Sequence, residues 1–510
     1  MVKDKEIFIE QYTALIAGLN RAHQSLLWWA TDISSKNRYT CLLPDYIQQW
    51  LGSGTFPRPG SITVFVQRLK KIGAVFYFGV LMYLRSVAAR RVLGKHVEGN
   101  LSADQKFYCI KTFAYDASFN EQGQYRDAFF GCLPDELSKQ RKVLLLVYVL
   151  GNFRSFLEKA KGSQPFTIVP VEFFLRWKDV GAAMAGILKF KVELDQPALF
   201  DGQDVTELIQ YELYRTFNGI QIQQLLHYYC TKELLKKCRI ETFLMTYENN
   251  PWERMCTLAL REKSPTTRII GYQHAVVPEA ALNMFLHPQD LGLVPLPDEI
   301  LTVGEITTEL LKKYGNYSKP QPKPACAFRY EYLFGIKEDH KPWQGHVLVV
   351  LDGVKQSSQL LEYVLNQMGG DSSLRVVLRA HPALPRAHWQ KQYGKAINRL
   401  EYLQWSDQSL NKDLDWADVV LYWQSTVAWE ALCRGRAVVN FTTSDILSYD
   451  PLLDHSFLRW SVTADHPPGQ VLEHIRNLPP ETKLEECRKA RDLIERYFYP
   501  VSDQGMKSFF

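Results

Sequence analysis

The chain has 510 residues, 46% of them apolar and 23% charged, with a formal net charge of +5. That is more chain than one hydrophobic core organises, so two domains or slightly more are expected, with the composition of a folded soluble protein. The mild charge excludes a nucleic-acid binder that works through overall basicity, and nine scattered cysteines without a C-x-x-C pair support neither a zinc site nor a disulfide framework.

The opening MVKDKEIFIEQY is charged and lacks the apolar core of a secretion signal. A reducing, cytoplasmic location is the expectation. The first hundred residues read as mainly helical, with apolar residues at helical spacing through EIFIEQYTALIAGLNRAHQSLLWWATDISS. Between Asp45 and Glu98 there is no acidic residue, while Arg58, Arg68, Lys70, Lys71, Arg85, Arg90, Arg91 and Lys95 are basic. The apolar run IGAVFYFGVLMYL, 72–84, is shorter than the roughly 20 residues a membrane-spanning helix needs. Its basic flanks suit an interfacial segment over 58–95 on anionic lipid, peripheral at the inner face of the cytoplasmic membrane. A buried helix with solvated basic ends is the alternative.

From about residue 107 the pattern changes. FYCIKTFAYD (107–116), KVLLLVYVLG (142–151), PFTIVPVEFFL (165–175) and ETFLMTYENN (241–250) read as buried strands. A helix over 252–263, a strand over 267–274 and a strand–Gly304–helix unit over 298–315 follow. NYSKPQPKPAC (316–326), with three prolines, reads as a linker. A second alternation comes after it: HVLVVLDG, a helix over 357–369, LRVVLRAHP, LEYLQW, ADVVLYWQS, a helix over 426–435, and RAVVNF. Strand–helix alternation predicts α/β domains with parallel sheets. The expected organisation is a helical extension (1–100), a first Rossmann-like domain (101–325), a second Rossmann-like domain (326–480) facing it across a cleft, and a C-terminal helix (481–510) returning to the first domain.

Open parallel sheets bind ligands beyond the carboxyl ends of their strands. In the second domain three such ends stand out. Asp352 and Gly353 follow the first strand, where Gly permits a tight turn or close approach. Ser357 or Ser358 is placed to cap the next helix. His381 is held extended by Pro382 and offers a ring nitrogen to phosphate. Gln424, Ser425 and Thr426 lie between strand and helix, where a hydroxyl and backbone N–H groups suit an anion. Glu430 lies one turn beyond Thr426, and its carboxylate can accept both hydroxyls of a ribose. Each feature alone has an ordinary structural explanation; their recurrence at successive strand ends points to one binding site.

This combination, Asp352–Gly353, the His381–Pro382 pair and the Ser425–Thr426 helix start, resembles bacterial GT-B glycosyltransferases of surface-polysaccharide assembly. It looks most like polysialyltransferases and Kdo transferases of capsule and O-antigen systems, which use CMP-activated acidic sugars. The match is best over about 345–445 and weaker over 240–335. The resemblance implies that His381, Ser425 and Thr426 hold the donor nucleotide and its phosphate. The acidic motif of such enzymes often has two carboxylates before the glycine; Leu351 replaces one here. The series YENNPWE, IIGYQHAVVP, LPDEILTVGE and AFRYEYL is also similar to surface-carbohydrate biosynthesis proteins.

The first domain is then expected to bind the acceptor and supply a base or nucleophile. Asp116, Glu248 and His274 each end a strand and are the candidates. Glu253 stands behind Glu248, with the role of a helix-start acid as its alternative. Arg379 and Arg329 are candidates for the leaving phosphate or a sugar carboxylate; an intradomain salt bridge is the alternative for Arg379. No DxD metal motif ends a strand of the first domain, so no metal or cofactor is expected: His, Arg and backbone N–H groups would stabilise the leaving group. The partners expected are a nucleotide sugar and a glycan or lipid-linked acceptor, with no nucleic acid. A CDP-glycerol-type polyol-phosphate transferase, a nucleotide-sugar 2-epimerase and a non-catalytic scaffold are the rival readings.

Overall fold

Runs such as VLLLVYV and HVLVV have no polar face, so they are stable only with helices covering both sides of their sheet. The computed structural model describes residues 4–37, 40–53, 61–162, 164–369 and 373–510, without the side chains of 61–65 and 67. Arg58, one of the basic residues singled out above, lies outside the described residues. The chain divides into two compact units: Met1–Ala275 with Ala281–Arg329 and Val501–Phe510, and Tyr330–Pro500 with Val276–Ala280.

The first unit contains helices α1 (Lys5–Ala22) and α2 (Ser61–Asn100). Strands β1 (Lys106–Ala114) and β2 (Val143–Val149) follow, then helix α3 (Phe153–Ala160) and strand β3 (Thr167–Pro170). Helices α4 (Trp177–Lys189), α5 (Thr206–Thr216) and α6 (Gln221–Leu234) lead to β4 (Arg239–Thr246). After helix α7 (Pro251–Lys263) come β5 (Arg268–Gln273), β6 (Glu299–Thr302), α8 (Glu305–Gly315) and β7 (Pro322–Pro324). The seven strands form one parallel sheet, ordered β3-β2-β1-β4-β5-β6-β7.

In the second unit β8 (His346–Val350) is followed by helix α9 (Ser358–Gln367), β9 (Arg375–Arg379), helix α10 (Arg386–Ile397), β10 (Leu403–Trp405) and β11 (Val419–Tyr422). Helix α11 (Val427–Cys433), β12 (Ala437–Thr442), β13 (Arg459–Thr463) and helix α12 (Pro480–Tyr497) complete it. Its six strands are parallel in the order β10-β9-β8-β11-β12-β13, around a core that includes Val347, Val349, Leu361, Val376, Leu378 and Leu421. Both sheets are thus doubly wound. Each reverses its winding beside its own first strand, between β1 and β4 in one and between β8 and β11 in the other, and such reversal points are where ligands of these sheets sit.

Several expectations change. The apolar run 72–84 is the interior of a 40-residue helix rather than a short segment. The first hundred residues belong to the same compact unit as the first sheet. PFTIVPVEFFL holds only four strand residues before a 3₁₀ turn over Val171–Phe174, because the Pro170 ring fixes φ and removes a ladder donor. The proline-rich segment 316–326 contains the edge strand β7, where prolines are tolerated; the units divide four residues later, after Arg329. Helix α12 stays with the second unit, packed on α11 through Trp429 and Tyr497, and only 501–510 return to the first. Strand β1 also carries a fully buried lysine. Lys111 Nζ lies 4.4 Å from the ring centres of both Phe113 and Trp252 and donates to the Thr112 carbonyl, and burial draws its ammonium down to about 8.

Candidate active site

The second sheet brings Asp352, His381 and Gln424–Ser425 to the ends of three neighbouring strands, β8, β9 and β11. Asp352 is buried at the winding reversal. Its Oδ2 accepts from the Gln424 backbone N–H at 3.4 Å, a bond made across the reversal from β8 to β11. Ser357 Oγ accepts from the Asp352 backbone N–H at 2.8 Å and lies 3.5 Å from Oδ2. Ser357, expected as a helix cap, thus holds the aspartate instead, and it makes no capping bond to α9. Burial pushes the Asp352 carboxyl up to about 7, with the Gln424 N–H and Ser357 acting the other way.

Gly353 is what lets the histidine in. A Cβ there would stand 2.7 Å from His381 Nδ1 and 3.0 Å from Cε1, closer than real contacts allow. The same Nδ1 accepts from the Ala383 backbone N–H at 3.0 Å, and the Leu384 N–H closes a turn on the His381 carbonyl at 3.0 Å. With Nδ1 an acceptor, the neutral imidazole carries its proton on Nε2. Partial burial lowers the His381 pKa, which favours that neutral form. The ring is exposed, and Nε2 has no partner among the described residues. Pro382 follows in the turn and holds this geometry.

Ser425 Oγ accepts from the Val427 N–H at 3.4 Å, and Thr426 is exposed beside it without a side-chain capping bond. Helix α11 has only seven residues, so its contribution to an anion site is the local N–H groups rather than a long macrodipole. Glu430 is half-buried one turn in. One carboxylate oxygen accepts from Tyr332 Oη at 3.0 Å, and burial raises its pKa. Arg379 is committed elsewhere: Nη1 meets Asp413 at 2.6 Å and the Gln408 carbonyl at 3.0 Å, and Ser406 Oγ joins the same aspartate. The guanidinium therefore braces the loop after β10, the salt-bridge alternative for this residue.

The first sheet is arranged differently. Asp116 begins a 3₁₀ turn after β1 and is exposed, but its Oδ1 accepts from the Asn152 N–H at 2.8 Å. A side chain at Gly151 would strike that carboxylate at 2.4 Å, so Asp116 ties the β1 and β2 loops together. Glu248, across the reversal after β4, is half-buried. Asn250 Nδ2 donates to its Oε2 at 3.2 Å, and its carbonyl accepts from Asn283 Nδ2 at 2.5 Å. Burial raises the Glu248 pKa, while Asn250 and the Arg329 charge oppose the shift. Glu253 takes the helix-start role. It pairs with Asn250 in a capping box, accepts from the Glu248 and Asn250 backbone N–H groups, and thereby shapes the turn that presents Glu248. Asn249 occupies the left-handed region in that turn (φ 57°), held by Arg254 Nε at 3.0 Å.

His274 is buried rather than presented at an open strand end. Its ring sits edge-on to Phe129, with centroids 4.7 Å apart, and its Nδ1 has no hydrogen-bond partner. Burial and the Arg329 charge draw its pKa down to about 3. Arg329 is exposed, 5.3 Å from the centre of the Phe129 ring, and its charge acts on Glu248, His274 and Tyr115. Glu248, His274 and Arg329 therefore form one cluster, with Tyr115 and Phe129 beside them; Asp116 is held by the neighbouring loop. Sequence reasoning missed Tyr115, Phe129, Asn283 and Tyr332. An aromatic or amide in a loop carries no pattern of its own.

Among the described residues one trio has the donor set and spacing for a metal ion: Glu338, His340 and Cys487, with ligand atoms within 4.8 Å of one another. Arg436, which bonds Asp339 beside it, immediately precedes β12, so the trio lies at the amino ends of the strands, opposite Asp352 and His381.

No family model matches the chain, and no curated protein does. Solved structures similar to it include Anabaena Alr3699/HepE in complex with UDP, at 11% identity and TM-score 0.40 over 77% of this chain and 95% of that one. A glycosyltransferase from Rickettsia africae matches at 9% identity and TM-score 0.45 over 79% and 96%. The Acinetobacter baumannii MurG matches at 11% identity and TM-score 0.41 over 79% and 98%. The fold assignment rests on the two strand orders themselves.

Proposed function

We propose that this chain is a glycosyltransferase of the GT-B type, which moves a sugar from a nucleotide donor held by the second sheet to an acceptor held by the first. One observation carries the reading: Asp352, His381 and Gln424–Ser425 meet on three adjacent strand ends at a winding reversal, with a glycine where the imidazole needs room. The unpartnered Nε2–H of His381 and the N–H groups around Ser425 are donors suited to a phosphate. Glu430, with one oxygen on Tyr332, is the ribose acceptor. The donor we favour is CMP-linked Kdo or a nonulosonic acid, and the acceptor a surface glycan or its lipid-linked precursor, on the sequence resemblance given above.

In this reading Glu248 is the general base. Burial raises its pKa, which makes the carboxylate a stronger base, and Arg329 beside it suits an anionic group on either substrate. His274, neutral with an unpartnered Nδ1, supports the acceptor side. Asp116 acts through the loop it ties. No cofactor enters the reaction.

Calorimetry with CMP, CDP and UDP on wild type and His381→Ala tests the donor site. Binding of one nucleotide, weakened at least tenfold by the substitution, is the expected result. No binding by any of the three favours the non-catalytic scaffold; preference for CDP or UDP moves the assignment toward the polyol-phosphate transferase or the epimerase.

A further inference from the structure

Over 72–84 helix α2 is apolar around its circumference, yet only one side of it is packed. Val75, Gly79, Met82, Ser86, Ala89, Leu93 and Val97 recur every three to four residues and are buried. On that side Gly79 lies so close to α4 that a Cβ would meet Met184 Sδ at 2.6 Å. Ser86 Oγ and Arg90 donate to the Leu175 carbonyl at 2.8 and 2.6 Å, and Arg85 pairs with Glu172 at 3.2 Å. These bonds fix the rotation of the helix about its axis.

The opposite side carries Leu69, Phe76, Tyr77, Val80, Leu84 and Val87, each between 41% and 63% exposed. They form a row about 27 Å long at 1.5 Å per residue. The row continues at helical spacing into exposed Arg91 and Lys95, and exposed Arg68 and Lys70 stand at its other end. No acidic residue occurs from 46 to 97. A row of this length with basic ends and no acidic neighbour matches the cross-section of an anionic bilayer surface: acyl chains below, phosphates at the rim.

We propose that α2 is an in-plane membrane anchor, lying along the headgroup–acyl boundary with Leu69 to Val87 immersed and Lys70, Arg91 and Lys95 on lipid phosphates. A spanning arrangement would break the bonds of Ser86, Arg90 and Arg85 to Leu175 and Glu172. A second copy of the chain fits less well: an antiparallel pairing of two such rows sets Arg91 and Lys95 of one against Arg68 and Lys70 of the other, like charge against like. The inference does not depend on the nucleotide site.

Flotation of the full chain with vesicles of 30% phosphatidylglycerol in phosphatidylcholine, and of phosphatidylcholine alone, tests it. Wild type should float with the anionic vesicles, less with the neutral ones, and less in high salt. Val80→Glu/Leu84→Glu, both at exposed positions, should reduce flotation at least tenfold with circular dichroism unchanged. Arg91→Glu/Lys95→Glu should reduce binding to the anionic vesicles alone. Absence of wild-type flotation, or equal flotation of the Val80/Leu84 variant, overturns the proposal. A dimer seen by light scattering that this variant splits, with no flotation, overturns it in favour of self-association.

Discussion

The two sheets wind in the same order and reverse at the same place, but their strand ends are finished in opposite ways. In the second, Gly353 leaves a space, the histidine fills it, and the Nε2–H has no partner among the described residues. In the first, the corresponding turn is filled by its own chain: Glu253 caps the Glu248 turn, Asn283 takes the Glu248 carbonyl, and Phe129 covers His274. One topology thus gives an open set of donors on one sheet and a braced, half-buried carboxylate on the other. The difference teaches that strand order fixes where a site can be, while the small residues and caps at the strand ends decide what it can do.

The comparison breaks first at Glu248. Replacing it with Gln should lower kcat for release of the nucleotide about 10²–10⁴-fold while leaving nucleotide affinity, measured by calorimetry, unchanged. Loss of affinity with intact turnover would exchange the roles of the two sheets. Next is Asp352, whose folded pKa of about 7 lies well above its ordinary 3.8. The fold favours the protonated form, so its stabilising contribution is full below about pH 4 and is lost as pH rises through 7. Between pH 5 and 8 wild type should lose on the order of 2 kcal/mol more stability in urea melts than Asp352→Asn. Equal pH profiles would show that the carboxylate is ionised throughout. The smallest effect is expected from Gly353→Ala. The new methyl displaces the imidazole, so nucleotide affinity should fall about tenfold without loss of fold; unchanged affinity would free Gly353 of any role in seating His381.

Much of this was legible in the residues. Parallel strands buried on both faces announce themselves as unbroken apolar runs, which is why 107–116, 142–151 and 346–353 were readable, and the strand-end rule then selected Asp352, His381 and Ser425. Arg379 shows where that reading stops. It ends β9 as predicted, but its direction was set by Asp413, thirty-four positions away, which no local pattern reveals. Helices α4, α5 and α6 were likewise unread, because their apolar positions are mixed with the polar and charged residues of the surface. The length of α2 was obscured by basic residues that ended the apolar run without ending the helix.

The last ten residues carry a further consequence. Phe509 is fully buried among Tyr272 and Phe328, and its carbonyl accepts from Tyr108 Oη at 2.5 Å, so β1, formed four hundred residues earlier, relies on it. During synthesis the first unit cannot close its interior until the entire second unit has emerged and the chain has come back. The interior of the first unit is thereby completed only by residues that follow the whole second unit, and a product stalled between residues 329 and 501 would present an unfinished apolar surface to the cell's quality control.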